Sequence, residues 1–270
     1  MISEFKGTAL ITGASSGIGA VYADRLAQRG YNLILVARSR DKLDHLAKTI
    51  SDRTGRSVEV VRADLNDKAQ LRRVEEVLRT DASITLLVNN AGFGSVAPLL
   101  DANIDTMEDM IDLNVTALTR LTYAAVPGFF RRGGGTVINI ASIVGFRPEI
   151  LNGVYGATKA FVLAFSQSLL HELEDKNIRI QAVCPGATAT EFWPAAGHSV
   201  ENYPAEIVMT TEDMVDASLA GLDQGEFVTI PSLLDANDWQ TYEAARQSLS
   251  LDKISRRDPA GRYALRSEAA

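Results

Sequence analysis

The sequence predicts a doubly wound α/β domain, and three features carry that expectation. Short runs rich in Val, Ile and Leu alternate with longer stretches of helical period. The short runs are nearly continuous in apolar residues, as strands are when helices cover both faces of a parallel sheet. The first run ends in a glycine-rich turn, Thr12-Gly13-Ala14-Ser15-Ser16-Gly17-Ile18-Gly19, that feeds directly into a helical pattern.

Taken in order, the strands are expected at Thr8–Thr12, Asn32–Ala37, Ser57–Arg62, Thr85–Asn89, Thr136–Ile140, Arg179–Val183 and Phe227–Ile230. Helices are expected at 17–29, 40–54, 67–79, 104–131, 154–176 and 211–223. In the second of these, Leu43, Leu46, Ala47 and Ile50 recur at spacings of three and four, with charged residues opposite. Repeated strand–helix–strand units imply right-handed crossovers and one continuous sheet. No linker or low-complexity tract divides the chain, so a single domain is expected over residues 1–250. A long irregular segment at 186–210 follows the sixth strand and is expected to form a lid. The polar tail at 251–270, with Arg256, Arg257, Arg262 and Arg266, reads as a solvated terminus.

Composition narrows the function classes. The 270 residues are 46% hydrophobic and 23% charged, enough to build a large core. A net charge of −7 and the lack of a basic block argue against a nucleic-acid partner. Cys184 is the one cysteine, so no intrachain disulfide forms, and His45, His171 and His198 do not stand at metal-ligand spacing; no metal is expected. The opening Met1-Ile2-Ser3-Glu4-Phe5-Lys6 lacks a basic segment followed by an apolar one, and no run approaches the ~20 apolar residues of a membrane span. A cytoplasmic protein with no membrane partner is the expectation.

The glycine turn fits a phosphate-bearing cofactor. Its glycines allow a tight turn and close backbone approach, and the helix that follows presents free N–H groups to an anion. The same residues, Gly13-Ala14-Ser15-Ser16-Gly17, also satisfy the G-x-S-x-G elbow of serine hydrolases. One strand, not several, precedes it, and no histidine follows in a strand-end loop. No Lys-Ser/Thr follows the glycines, which excludes a P-loop. The second strand ends in Ala37-Arg38, where NAD-binding relatives of this architecture carry an acid for the ribose. Arg38 suits the extra 2′-phosphate instead, so NADP(H) is expected over NAD(H).

Catalysis is sought in Ser142, Tyr155 and Lys159. The tyrosine and lysine are four apart in a helical stretch and share one face. An ammonium beside a phenol favours the phenolate and lowers its pKa toward working pH, which suits an acid/base that serves an alkoxide.

The set Thr12–Gly19, Asn89-Asn90-Ala91-Gly92, Asn114, Ser142, Tyr155 and Lys159 resembles the short-chain dehydrogenase/reductase family, in its ordinary non-extended branch, over roughly residues 5–230. That resemblance implies a seven-stranded Rossmann-type sheet and hydride transfer between a nicotinamide cofactor and a carbonyl or alcohol carbon. It implies that Tyr155 is the proton donor or acceptor, that Ser142 polarises the carbonyl, and that Lys159 binds the nicotinamide ribose and tunes Tyr155. Asn114 would hold a water in a proton relay to Lys159. Gly13, Ser15, Ser16, Gly17, Ile18 and Gly19 match the pyrophosphate loop, Asp64-Leu65 the pair flanking the adenine, and Asn90-Ala91-Gly92 the adenosine side. Pro185-Gly186 and Thr190 match the segment fixing the carboxamide, with Thr188 where Val is frequent and Cys184 where Asn is frequent. Family habit and a helix at 154–173 apolar on more than one side imply a homodimer or homotetramer. Phe192, Trp193, Pro194, His198, Tyr203 and Pro204, with Phe93, Phe146 and Arg147, either line an apolar substrate pocket or pin the lid to the body. The alternative function is a catalytically inactive nucleotide-sensing or scaffolding protein; the intact trio argues against it. An extended-branch epimerase or dehydratase would need a longer C-terminal part, and a methyltransferase an acid where Ala37 and Arg38 stand.

Overall fold

In the computed structural model, which describes residues 6–263, seven strands form one all-parallel sheet in the order β3-β2-β1-β4-β5-β6-β7. The strands are β1 Thr8–Thr12, β2 Asn32–Ala37, β3 Val58–Arg62, β4 Ile84–Asn89, β5 Gly135–Ile140, β6 Ile178–Val183 and β7 Val228–Thr229. Alternation along each inner strand sorts the core into two halves. Ile11, Leu35, Val88 and Ile140 face a cluster with Tyr22 and Leu26 of α1 (Gly17–Gln28), Leu43 of α2 (Arg40–Thr54) and Leu219 of α8 (Thr211–Gln224). Leu10, Ile34, Leu87 and Val137 face Leu71 of α3 (Lys68–Thr80), Phe129 of α5 (Leu118–Arg131) and Leu169 of α6 (Gly153–Glu172). Burial on both faces explains why the strands read as unbroken apolar runs.

Helix ends follow local chemistry. Asp67 caps α3 by accepting from the backbone N–H groups of Ala69 and Gln70 at 2.8 and 2.9 Å. Left-handed Gly55 and Gly225 end α2 and α8. At the centre of the sheet Asn89 and Asn139 stand in register on β4 and β5, and the Asn89 Nδ2 donates to Asn139 Oδ1 at 2.9 Å and to Thr122 Oγ1 at 3.0 Å. Polar pairing there fixes the register of two otherwise apolar strands.

The expected helix over 104–131 is broken. The chain runs as α4 (Ile104–Ile111), a π-helical turn at Asp112–Ala117, and α5, which holds Pro127. Apolar period alone does not register the widened turn, because the residues on either side keep a helical spacing. The lid holds the short helix α7 (Phe192–Ala195), and beyond it lie α9 (Ala236–Gln247) and α10 (Leu251–Ile254). The chain separates into two compact units between Ser232 and Leu233, ahead of the expected boundary near residue 250. In the second unit α9 has no buried residue, so it lacks the apolar stripe that would have announced it. Arg266 of the tail lies outside the described residues. Among the described residues no helix is long and apolar enough to cross a membrane, and no cluster of three His, Cys, Asp or Glu side chains is placed to hold a metal ion.

Phe129 is fully buried, and its ring lies so close to Gly135 that a Cβ there would sit 2.4 Å from Phe129 Cγ. Replacing Phe129 by Ala leaves a hole that this rigid surround cannot close. Urea unfolding of Phe129→Ala is expected to show a loss of about 3–5 kcal/mol.

Candidate active site

In a parallel sheet the carboxyl ends of all strands fall on one edge, and the crevice opens where the strand order reverses, here between β1 and β4. A clamp joins the loops that leave these two strands. Asn90 Nδ2 donates to the carbonyls of Thr12 and Gly13 at 2.9 and 3.2 Å, while Thr12 Oγ1 accepts from the N–H groups of Asn90 and Ala91, both at 3.0 Å. Asn90 is therefore a brace for the glycine turn.

The turn itself is a cradle that only glycines permit. Gly13 has φ +65°, and a Cβ on it would meet Asn90 Nδ2 at 2.8 Å and Ala91 Cα at 2.9 Å. A Cβ on Gly19 would meet the Gly13 carbonyl oxygen at 2.4 Å. Ser16 stands at the N-cap of α1 with no side-chain cap bond, and the first turn of α1 holds no acid. Free N–H groups at a positive helix end, next to open backbone, fit a pyrophosphate. Ser15, Gly17 and Ile18 are half-buried beside them.

At the end of β2, Arg38 is exposed and its carbonyl accepts from Arg62 Nε at 3.2 Å, which brings a second guanidinium to this edge. Sequence reasoning missed Arg62, which lies at the end of β3, paired in register with Ala37. Asp64 and Leu65 follow β3: the Asp64 Oδ1 accepts from Asn66 N at 3.0 Å and Leu65 is buried in the core. Pro185 is buried and its carbonyl accepts from Ile143 N at 3.0 Å, Gly186 is half-buried, and Thr188 Oγ1 donates back to the Gly186 carbonyl at 3.2 Å. Thr190 packs over the glycine turn, 3.4 Å from where a Cβ on Gly17 would lie. The segment after β6 thus closes one side of the crevice.

Ser142, Tyr155 and Lys159 are brought together and are all buried. Ser142 follows β5 in extended backbone, and its hydroxyl is hydrogen-bonded to the Tyr155 phenol and donates to the Pro185 carbonyl at 3.3 Å. Asn152 caps α6 by accepting from Val154 N and Tyr155 N, so the cap places the tyrosine in the first helical turn. Lys159, one turn on, reaches under the tyrosine ring with Nζ 5.8 Å from the centroid and donates to the Ile140 carbonyl at 2.8 Å. Asn114 sits in the π-helical turn. Its Nδ2 donates to Phe93 O at 2.9 Å and Thr158 Oγ1 at 3.1 Å, and its Oδ1 accepts from Phe93 N at 3.1 Å. A Cβ on Gly92 would lie 2.8 Å from that Oδ1 and 3.7 Å from Lys159 Nζ. Gly92 therefore lies between Asn114 and Lys159, with no room for a side chain on it. Thr158 and Thr12, which complete these networks, carried no sequence signal beyond their neighbours in the motifs.

Burial governs the electrostatics of the group. Burial pushes the Tyr155 phenol above its ordinary value, and the Ser142 hydrogen bond opposes this only in part. Lys159 donates to the Ile140 carbonyl and its ammonium lies over the Tyr155 ring. Burial lowers Lys159 itself to about 8. Cys184, buried beside them, is pushed up to about 12 by burial and remains a thiol.

A family model described as short chain dehydrogenase matches residues 7–200. The chain belongs to the short-chain dehydrogenase/reductase family. It is similar to a short-chain dehydrogenase from Sphingobium yanoikuyae in complex with NADPH, 48% identical over 95% of this chain and 99% of that one, with a TM-score of 0.92. It is also similar to the bulky-bulky ketone specific alcohol dehydrogenase from Comamonas testosteroni, at 43% identity over 97% and 100% of the chains and a TM-score of 0.89. An uncharacterized oxidoreductase of Staphylococcus epidermidis is 34% identical over 82% of this chain and 93% of its own length. The chain is accordingly an oxidoreductase of the kind that acts on alcohol or carbonyl groups with a nicotinamide cofactor.

A lysine lowered to about 8 in the folded state, against roughly 10.4 unfolded, has a fixed sign in the pH dependence of stability. Between these values the unfolded chain binds the extra proton, so Lys159 makes the fold more stable as pH rises. Unfolding of wild type and Lys159→Met at about pH 7.5 and about pH 10 is expected to show the wild type gaining stability relative to the variant at the higher pH.

Proposed function

We propose that the protein interconverts a ketone or aldehyde and its alcohol, prefers NADP(H), and uses Tyr155 as general acid/base. The observation that carries this reading is the buried Ser142–Tyr155–Lys159 group beside a glycine cradle built for a dinucleotide phosphate. When bound, the nicotinamide supplies the hydride that the carbonyl carbon receives. The chain's own residues manage the oxygen. The Ser142 hydroxyl polarises the carbonyl, and Tyr155, a neutral phenol because burial raises it, donates its proton as the alkoxide forms. Lys159 would hold the cofactor's ribose, and its ammonium, lying over the Tyr155 ring, stabilises the phenolate left behind. Asn114, fixed by Phe93 and Thr158, anchors the route by which Lys159 regains protons. The preference for NADP(H) supports carbonyl reduction as the cellular direction.

Arg38 with Arg62 supports the preference for the 2′-phosphate, as does the NADPH in the Sphingobium relative. The apolar lid residues and the ketone named for the Comamonas relative support a substrate with apolar groups on both sides of its carbonyl. Exposed aromatic side chains on α5 and α6, Tyr123, Phe130 and Phe161, support a homodimer or homotetramer. An inactive sensor has no use for a serine, tyrosine and lysine all buried at one point.

The test is steady-state reduction of a ketone panel with NADPH and NADH. Tyr155→Phe is expected to lose about 10²–10⁴-fold in kcat while still binding NADPH. Arg38→Ala is expected to lose about tenfold of the preference for NADPH over NADH. A Tyr155→Phe variant that turns over like wild type contradicts the mechanism.

A further inference from the structure

Phe192 does something that its place in the lid does not require. Its ring lies 5.5 Å from that of Tyr155, tilted by 46°. It fits a slot made by Gly94: a Cβ there would fall 2.4 Å from Phe192 Cζ and 3.2 Å from Tyr155 Cδ2. The tip of the ring therefore fills the space alongside the catalytic phenol. Its neighbour Trp193 is the fixed point of this segment. Trp193 is buried, donates from Nε1 to the Thr188 carbonyl at 2.8 Å, and packs on Tyr203 with centroids 4.9 Å apart. Phe192 is half-buried and meets Trp193 edge-on at 5.4 Å. An anchored tryptophan thus carries a phenylalanine whose ring is held by apolar contact alone.

A cavity of about 960 Å³ is lined by apolar residues including Ala102, Met107, Leu151 and Val154. These four also belong to the apolar cluster around Tyr155 and Phe192, so one wall serves both.

We propose that Phe192, seated in the Gly94 slot, is the specificity-determining residue that sets how large a carbonyl compound reaches Tyr155. With the ring in the slot, the space beside the phenol admits a small group. With it turned out, the space opens for an apolar ring or branched chain on that side of the carbonyl. This inference rests on the proposed carbonyl reductase activity.

The experiment compares kcat/KM with NADPH for a methyl ketone and for a ketone carrying rings on both sides of the carbonyl. Phe192→Ala is expected to raise the ratio of two-ring to methyl ketone by about tenfold or more, through KM, since pocket space of one or two methylenes discriminates on that scale. Phe192→Leu is expected to fall between Ala and wild type, and Phe192→Trp to lower the ratio. NADPH binding by each variant reports that it is folded; if Phe192→Ala does not fold, the Leu and Trp variants make the same comparison. A ratio that stays constant along the series, even with both rates falling together, overturns the gate and leaves the activity standing. A wild type that reduces neither ketone overturns the activity itself and the gate with it.

Discussion

The buried ammonium of Lys159 is the constraint around which the site is arranged. A charge taken out of water must be met by hydrogen-bonding groups at short range, and the Ile140 carbonyl at the end of β5 provides one at 2.8 Å. That bond ties α6 to the sheet edge and sets the distance at which Tyr155, one turn earlier, stands over the crevice. Around it, Gly92 has no room for a side chain, and Asn114 stands nearby in the widened turn between α4 and α5. Burial of this group lowers it to about 8, so the ammonium still predominates at neutral pH while its burial costs stability.

Much of this was legible in the chain. Unbroken apolar runs gave strands, because both sheet faces are covered, and β1 and β2 have the predicted ends. The grouping of Ser142, Tyr155 and Lys159 followed from a strand end and a helical spacing of four. What stayed hidden has a common physical cause: it depends on contacts between distant residues. The π-helical turn at Asp112–Ala117 answers to Phe93 and Thr158, neither of them near in sequence. The rise of the Tyr155 phenol comes from burial, while spacing to Lys159 spoke only of charge. The bonds by which Asn90 braces Thr12 and Gly13 across the crevice likewise join residues far apart in sequence.

The segment after β6 shows how one stretch of chain serves two ends of the crevice. Thr190 rests on the glycine turn and Phe192 on Tyr155, while Trp193 fastens both to the Thr188 carbonyl. The Glu191 side chain adds a bridge to Lys42 at 3.0 Å, an exposed pair that contributes little energy but links the lid to α2. The glycine turn and Tyr155 are thereby covered by four consecutive residues.

The central claim is that Tyr155 gives up its proton as the carbonyl carbon receives hydride. Single-turnover reduction, followed with NADPH and with its C4-deuterated form in light and heavy water, tests it most directly. The account predicts an isotope effect from each source, with the hydride effect persisting in heavy water, since both transfers belong to one step. A rate that responds to cofactor deuterium but not to solvent deuterium would contradict it, because the proton would then arrive outside that step.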